Sequence, residues 1–199
     1  GNSEDAMKYS TRAECAKRSF NKLFWNEKAA CLYDCVLNDR ADETMRPNQI
    51  LAASLTYSML SKERARAVVR AVERELFTPY GLRSLSAADA RYRGHYVGDS
   101  AARDSAYHQG PVWAWLLGPF IDAYLKVNGK KAQAQVREWL QVFSGHLAEA
   151  GVGHVSEIFA GDFPHLPRGG FAQAWRVAAV LRPVVDNGLA RKPAQRTAA

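Results

Sequence analysis

The sequence has few cysteines, no long apolar run and no apolar segment near its start. Its three cysteines, Cys15, Cys31 and Cys35, are too few and of odd number for a disulfide scaffold, so we expect reduced thiols. Apolar runs stop well short of the roughly 20 residues that a membrane helix needs, which argues against a membrane partner. Residues 1–10 are polar and do not resemble a signal peptide. We therefore expect a cytoplasmic location.

The composition is that of an ordinary globular domain. The chain has 199 residues, of which 47% are hydrophobic and 24% are charged. This length and balance predict one folded domain and exclude disordered and low-complexity classes. The expected divisions are an N-terminal extension or tag remnant over 1–10, a domain over 11–182 and a basic tail over 183–199.

The net charge is positive, which raises the question of a nucleic-acid partner. The 27 Lys and Arg residues against 20 Asp and Glu give a net charge of +7. Residues 182–199 carry four basic side chains and one acidic one, so three of the seven excess charges lie there. Because no recognition motif accompanies the charge, nucleic-acid binding is the least favoured function.

Hydrophobic periodicity predicts six helices of two alternating kinds. The first kind has a charged outer face and an apolar stripe, and the second has almost no charge and should be buried nearly all round. The charged helices span 11–25, 62–77 and 130–149. The apolar helices span 47–60, 112–127 and 171–181. A long loop precedes each apolar helix, and long loops in compact domains are usually functional or disordered.

This repeated order predicts an all-α fold. Three αα-hairpins with polar outer and apolar inner helices would form a curved, two-layered array. Because each long loop precedes an inner helix, the three loops should lie on one rim. The rim is therefore the predicted functional site.

The second and third loops are dense in aromatic, polar and glycine residues. The second loop ends with Tyr107, His108, Gln109 and Gly110, and the third contains Glu157 beside an apolar pair. Aromatic faces pack on sugar rings, and carboxylates and amides bond hydroxyl groups. The loops therefore suit a polyhydroxylated ligand.

A series of short motifs occurs in a fixed order along the chain. The motifs are Arg46-Pro-Asn-Gln49, Thr78-Pro-Tyr-Gly-Leu-Arg-Ser-Leu-Ser86, Tyr92-Arg-Gly94, Gly98-Asp99, Arg103-Asp104, Tyr107-His-Gln-Gly110, Ser156-Glu-Ile-Phe159, Gly161-Asp162, Pro167-Arg-Gly169 and Ala172-Gln-Ala-Trp175. This ordered series resembles the C-terminal α-1,6-glucosidase domain of glycogen debranching enzymes. The resemblance implies an (α/α)6 toroid, of which the six predicted helices would be half. It also implies hydrolysis of branched α-glucan. His108, His154 and His165 lack the spacing and Cys partners of common zinc sites, so we expect no metal or other cofactor.

The resemblance assigns Glu157 as the general base. Most glycosidases need a second carboxyl group as general acid. The family's acid motif has no counterpart here, so we expect weak or no activity from this chain alone. Asp99 and Asp104 are the nearby alternatives for the general acid. The expected substrate-binding residues are Asn48, Gln49, Tyr80, Arg83, Asp99, Arg103, Asp104, Tyr107, His108, Gln109 and Trp113.

Structural alternatives stand beside several of these roles. Glu157 could be a surface carboxylate paired with Arg168. Asp99, Arg103 and Asp104 could form a salt-bridge cluster that braces the loop, which is as well supported as contact with a ligand. Asn48 and Gln49 could equally cap backbone groups or bond a sugar. Of the tryptophans, Trp113 or Trp115 should face the site, while Trp139 and Trp175 should be core residues.

The chain as a whole has two further readings. It could be a non-catalytic glucan-binding or structural remnant, or a segment that completes a toroid with another polypeptide. The uncovered edge of a half-toroid would be apolar, and exposed apolar patches usually mark interaction surfaces. We therefore expect self-association or a partner chain that supplies the missing half.

Overall fold

Each of the six predicted segments contains a helix, with changed bounds. The computed structural model describes residues 2–150 and 153–189; most of the predicted basic tail lies outside the described residues. The α-helices in the described ranges are α1 Ser3–Leu23, α2 Gln49–Ser54, α3 Lys62–Leu76, α4 Ser100–Ala106, α5 Leu117–Asn128, α6 Gln133–Glu149 and α7 Ala174–Asp186. Two 3₁₀ helices, Ala114–Leu116 and Lys130–Ala132, precede α5 and α6. Helix α4 was not predicted.

Nine short strands form three antiparallel sheets within the described residues. Two of the sheets are two-stranded, β1 with β2 and β3 with β4, and the third has five strands in the order β5-β6-β7-β8-β9. The strands are β1 Trp25–Asn26, β2 Cys31–Leu32, β3 Val36–Leu37, β4 Arg40–Ala41, β5 Phe77–Thr78, β6 Gly81–Arg83, β7 Val112–Trp113, β8 Ile158–Phe159 and β9 Pro167–Arg168.

The prediction of an all-α half-toroid was wrong. About 52% of the described chain is helical, and the five-stranded sheet makes the fold a mixed one. The strands have two or three residues each, so no alternation of apolar and polar residues is long enough to reveal them. Several strands pair with a near neighbour in the chain, but β7 pairs with β6 and with β8 across long stretches of sequence.

Helix α3 follows from local sequence. The Ser61 hydroxyl accepts a hydrogen bond from the backbone N–H of Arg64 at 3.2 Å, which caps the first turn. Its apolar stripe, from Ala65 through Val72 to Leu76, is buried. The periodicity therefore predicted both the position of this helix and its buried face.

Helix α5 lies at the centre of the core. It packs between α2 and α7 and also contacts α3, and its side chains Leu117, Phe120 and Ile121 are fully buried. Trp139 of α6 packs on Phe120, with ring centroids 5.6 Å apart. Helix α1, in contrast, has no buried residue. The functional loops are thus attached to a helical core that α1 does not enter.

The five-stranded sheet joins the second and third loops. Trp113 of β7 pairs with Leu82 of β6 on one side and with Ile158 of β8 on the other. Ile158 in turn pairs with Arg168 of β9. Glu157, the residue before β8, is therefore held at the end of a hydrogen-bonded strand rather than in a free loop.

Candidate functional site

Glu157 is joined to the neighbouring segment by two hydrogen bonds. Its backbone N–H donates to the carbonyl of Gly170 at 2.8 Å, which extends the β8–β9 pairing beyond the strands. The backbone N–H of Gly170 donates back to Oε2 of the Glu157 side chain at 2.7 Å. A Cβ at Gly169 would lie 2.8 Å from Glu157 Oε2, so the close approach favours a glycine there.

Two further donors hold the other carboxylate oxygen. The hydroxyl of Tyr107 donates to Glu157 Oε1, and Nη2 of Arg176 donates to the same atom at 3.0 Å. Nη1 of Arg176 also donates to the backbone carbonyl of Glu157. The expected alternative of a Glu157–Arg168 pair is wrong, because the guanidinium that contacts the carboxylate belongs to Arg176.

This environment keeps Glu157 ionised. Burial alone would raise the pKa of its carboxyl group, but the bonds from Tyr107 and Gly170 and the charge of Arg176 outweigh burial and lower it. Burial and the hydrogen bond to Glu157 raise the pKa of Tyr107 to about 12. At neutral pH the pair is therefore a carboxylate that accepts from a protonated phenol.

Arg176 lies between two tryptophan rings. Its guanidinium carbon is 5.0 Å from the ring centroid of Trp113 and 4.8 Å from that of Trp175. Gln173 Oε1 accepts from Arg176 Nε at 2.6 Å and from the indole N–H of Trp175 at 3.1 Å. Arg176 itself is only 2% exposed. Every side of the guanidinium group is thus occupied.

The two site tryptophans differ in exposure from what was expected. Trp113 is 7% exposed and is stacked against His108, with ring centroids 5.0 Å apart. Trp175 was expected in the core, but it is 49% exposed and rests against Trp115. The pKa of His108 is lowered, chiefly by burial and secondly by the charge of Arg46. Trp175 therefore offers an open aromatic surface beside Arg176, the ion-pair partner of Glu157.

Arg46 connects the first loop to this cluster. Its Nη1 donates to the carbonyl of His108 at 2.7 Å, and its Nη2 donates to Oε1 of Gln109 at 2.9 Å. Arg83 similarly donates from Nε to the carbonyl of Gly161 at 2.8 Å. Residues of all three long loops therefore meet around the second loop.

Three of the expected substrate-binding residues have structural contacts instead. The amide of Gln49 is buried and accepts from the backbone N–H of Leu32 at 3.2 Å. Asn48 donates to Asp34 at 2.8 Å. Tyr80 stacks on Phe159 at 4.3 Å between ring centroids and packs against the core.

The acidic cluster of the second loop is separate from Glu157. Asp99 caps α4 by accepting from the backbone N–H of Ala102 at 2.8 Å, and Arg103 donates to the carbonyl of Gly98 at 2.7 Å. Asp104 is exposed. In the described residues these three side chains form no ion pair with one another and no hydrogen bond with Glu157.

A second carboxylate is held in the loop after β8. Asp162 accepts from the hydroxyl of Tyr92 at 3.0 Å and lies 3.3 Å from Nε2 of His95. The adjacent Gly161 donates its backbone N–H to the carbonyl of Gly94 at 2.7 Å. This cluster connects the second and third loops without a bond to the Glu157 side chain among the described residues.

Sequence reasoning missed Gln173 and Arg176 among the residues that position Glu157, whereas Tyr107 was one of the expected site residues. Gln173 belongs to one of the quoted motifs but received no role, and Arg176 is the only charged residue between positions 171 and 181. That single charge was the available signal, because a buried charge is almost always paired. Its partner could not be read from sequence spacing.

The structure offers no obvious metal-binding constellation or membrane segment in the part of the chain that it describes. Among residues 2–150 and 153–189, no group of three His, Cys, Asp or Glu side chains is arranged to hold a metal ion. No helix in the same ranges has the length and hydropathy to cross a bilayer.

Comparison with known families agrees with the resemblance found in the motifs. A family model described as amylo-alpha-1,6-glucosidase matches residues 1–182, which include Glu157 and all the residues that contact it. The chain belongs to the amylo-alpha-1,6-glucosidase family. Membership supports a glycoside-hydrolase type of function.

A curated relative gives the same assignment over a shorter stretch. The chain is 33% identical over 89 residues to a glycogen debranching enzyme of Saccharomyces cerevisiae. The match covers 42% of this chain but only 6% of the yeast protein. The chain thus corresponds to a small part of that relative.

Proposed function

We propose that the chain contributes the general-base side of an α-1,6-glucosidase site that acts on branched α-glucan. The observation that carries this proposal is the environment of Glu157, an ionised carboxylate. In the described residues its Oε1 accepts two hydrogen bonds and its Oε2 accepts one. A base must be unprotonated at the working pH and within hydrogen-bond reach of its water. The lowered pKa of Glu157 meets the first requirement.

The count of lone pairs identifies the oxygen that would act. Each carboxylate oxygen accepts about two hydrogen bonds. Among the described residues, Oε1 of Glu157 accepts hydrogen bonds from Tyr107 and Arg176, whereas Oε2 accepts one, from the backbone N–H of Gly170, and the Gln173 amide also acts on this carboxylate. Oε2 therefore retains one position for the water that attacks the anomeric carbon.

The general acid comes, on this proposal, from a partner segment. Inverting glycosidases hold their two carboxyl groups roughly 6.5 to 9.5 Å apart, with the water between them. Asp99 is used as a helix cap, and Asp162 is bonded to Tyr92 and His95. We therefore expect this chain alone to hydrolyse α-1,6-linked glucose slowly or not at all.

The substrate surface that we propose lies around the open side of this carboxylate. His108 is exposed and Gln109 is half-buried, and the Trp175 ring offers a face on which a sugar ring could stack. The earlier expectation of direct stacking on Trp113 is replaced, because His108 and Arg176 already cover that ring.

Glucose release from a branched α-1,6-dextrin tests the catalytic proposal. We expect the Glu157→Gln variant to abolish whatever glucose release the chain shows. The matched control is Glu138→Gln, because Glu138 is an exposed glutamate on α6 bonded only to Gln135 in the described residues. Measurable glucose release that is equal in Glu157→Gln and the unmodified chain would overturn the assignment of the base.

A non-catalytic glucan-binding role is the second candidate, since both oxygens of Glu157 are bound by the protein as in a structural ion pair. Saturable binding of oligosaccharide without any glucose release would favour it. Self-association, a partner chain and a cytoplasmic location stay predictions alongside both candidates.

A further inference from the structure

Arg176 has a burial and a set of contacts that packing alone does not account for. It is the one charged side chain in the first half of α7, and it is only 2% exposed. Taking a charge out of water costs several kcal/mol, and well-packed apolar residues often stabilise a fold as well as a buried ion pair does. Arg176 has apolar neighbours in this helix, so an apolar residue could have stood at position 176 as well. The contacts of the guanidinium group indicate what its charge does there.

The guanidinium group is held rigidly on three sides. Gln173 accepts from Nε at 2.6 Å, and the rings of Trp113 and Trp175 lie at 5.0 and 4.8 Å. Each of these cation–π contacts is attractive and holds the guanidinium against a ring face. These contacts fix the plane of the guanidinium group and leave both terminal nitrogens directed at Glu157.

Both terminal nitrogens bond to the same residue, one to its main chain and one to its side chain. Nη1 donates to the carbonyl of Glu157 and Nη2 to its Oε1. A fork that contacts the backbone and the carboxylate together restrains the torsion angles between them. With Oε1 held in this way and by Tyr107, Oε2 is directed towards Gly170 and the open side.

We propose that Arg176 is a positioning residue that orients the Glu157 carboxylate and leaves Oε2 free for a water molecule, with Gln173 holding the guanidinium in place. This inference rests on the proposed role of Glu157 as base. Arg176 itself does not touch the substrate. Lysine cannot replace it fully, because an ammonium group is a point charge without the planar fork.

The test measures the state of the Glu157 carboxylate directly, without relying on turnover. The full chain is labelled with ¹³C at glutamate Cδ, and its carboxyl signals are followed from pH 2 to 9. The Glu157 signal is identified by its loss in Glu157→Gln. In Arg176→Gln we expect the pKa of Glu157 to rise by about one pH unit or more, because an adjacent positive charge has been removed. Tyr107 and Gly170 remain as donors, and His108 is a further titratable group, in contact with Tyr107.

Two further variants separate positioning from stability. Arg176→Lys should recover only part of the low pKa of Glu157, since the charge returns without the fork. Val180→Ala, four positions along the same buried face of α7, should lower the thermal midpoint and leave the pKa of Glu157 unchanged. An unchanged pKa in Arg176→Gln, or an equal rise in Val180→Ala, would overturn the proposal.

Folding failure of Arg176→Gln would not end the test. Gln173→Ala leaves Arg176 in place but removes the acceptor of its Nε, together with the Gln173 amide that itself lowers the pKa of Glu157, and a smaller rise in that pKa is expected. If that pKa does not move, the proposal is rejected. Glucose release by Glu157→Gln tests whether Glu157 is the base, and the carboxyl titration tests whether Arg176 positions it. Either proposal can therefore fail without the other.

Discussion

The hydroxyl of Tyr107 donates a hydrogen bond to Glu157, across 50 residues of sequence. Tyr107 follows the short helix α4, and Glu157 precedes strand β8. The bond joins the second and third loops at the one carboxylate that family resemblance assigns to catalysis. The properties of each side chain therefore depend on the other, which makes the pair the natural first target for substitution.

Removing the Tyr107 hydroxyl should raise the pKa of Glu157 and weaken the fold. Tyr107→Phe keeps the ring contact with Trp113 and deletes only the donor. A hydrogen bond to a charged group contributes about 1.5 kcal/mol or somewhat more. Urea denaturation at pH 7 should show a loss of that order. A loss in unfolding free energy below a few tenths of a kcal/mol would mean that this hydrogen bond does not stabilise the fold.

The contribution of Glu157 to stability should disappear in acid. Its pKa is lowered in the fold, so the ionised carboxylate stabilises the native state fully above the unfolded value of about 4.3. That stabilisation is lost as the pH falls through the folded value. Urea denaturation at pH 7, 5 and 3 should therefore show Glu157→Gln approaching the unmodified chain only at the lowest pH. A constant difference across this range would contradict the ion-pair account.

Two glycine substitutions should have opposite effects. Gly81 has φ +145°, and a Cβ there would overlap the carbonyl oxygen of Trp113. Gly81→Ala should therefore lower the thermal midpoint and disturb the β6–β7 pairing beside the site. Gly145 lies inside α6 with nothing near its missing Cβ, so Gly145→Ala should raise stability by about 0.5 to 1 kcal/mol. Thermal denaturation of both variants checks the two signs together.

Asp99 should behave as a helix cap. Asp99→Ala removes the acceptor for the backbone N–H of Ala102 and should cost about 1 kcal/mol, whereas asparagine caps as well as aspartate. Asp99→Asn should therefore retain both stability and oligosaccharide affinity. If Asp99→Asn loses affinity while keeping its stability, the carboxylate contacts substrate and the original expectation for Asp99 stands.

Oligosaccharide binding should be reported by Trp175. We expect malto- or isomalto-oligosaccharides to change the tryptophan fluorescence of the chain, because half of the Trp175 side chain faces solvent beside Arg176. Trp175→Phe should remove most of the response, and Trp139→Phe, on α6, should keep it. No change in spectrum or thermal midpoint at high millimolar sugar would reject glucan binding by this chain alone.

The helices and the family were accessible from the sequence because both depend on local patterns. Helix α3 was predicted from its apolar stripe, and the structure confirms it at Lys62–Leu76. The ordered motifs indicated the amylo-alpha-1,6-glucosidase family, and the family match confirms that assignment. Each of these signals lies within a few neighbouring residues.

The sheet and the surroundings of Glu157 were decided only by the tertiary structure. Strands of two or three residues have no readable period, and β7 pairs with β8 across more than 40 residues of intervening chain. Arg176 lies on α7, 19 residues from Glu157 in sequence, and contacts it there. Two tryptophans and Gln173 enclose its guanidinium group and help the fold to tolerate the buried charge. The sequence determined by itself that Arg176 is a lone charge in an apolar segment. Packing decided which carboxylate it meets, because the cost of burying a charge is offset only by a partner that the folded chain brings within bonding distance.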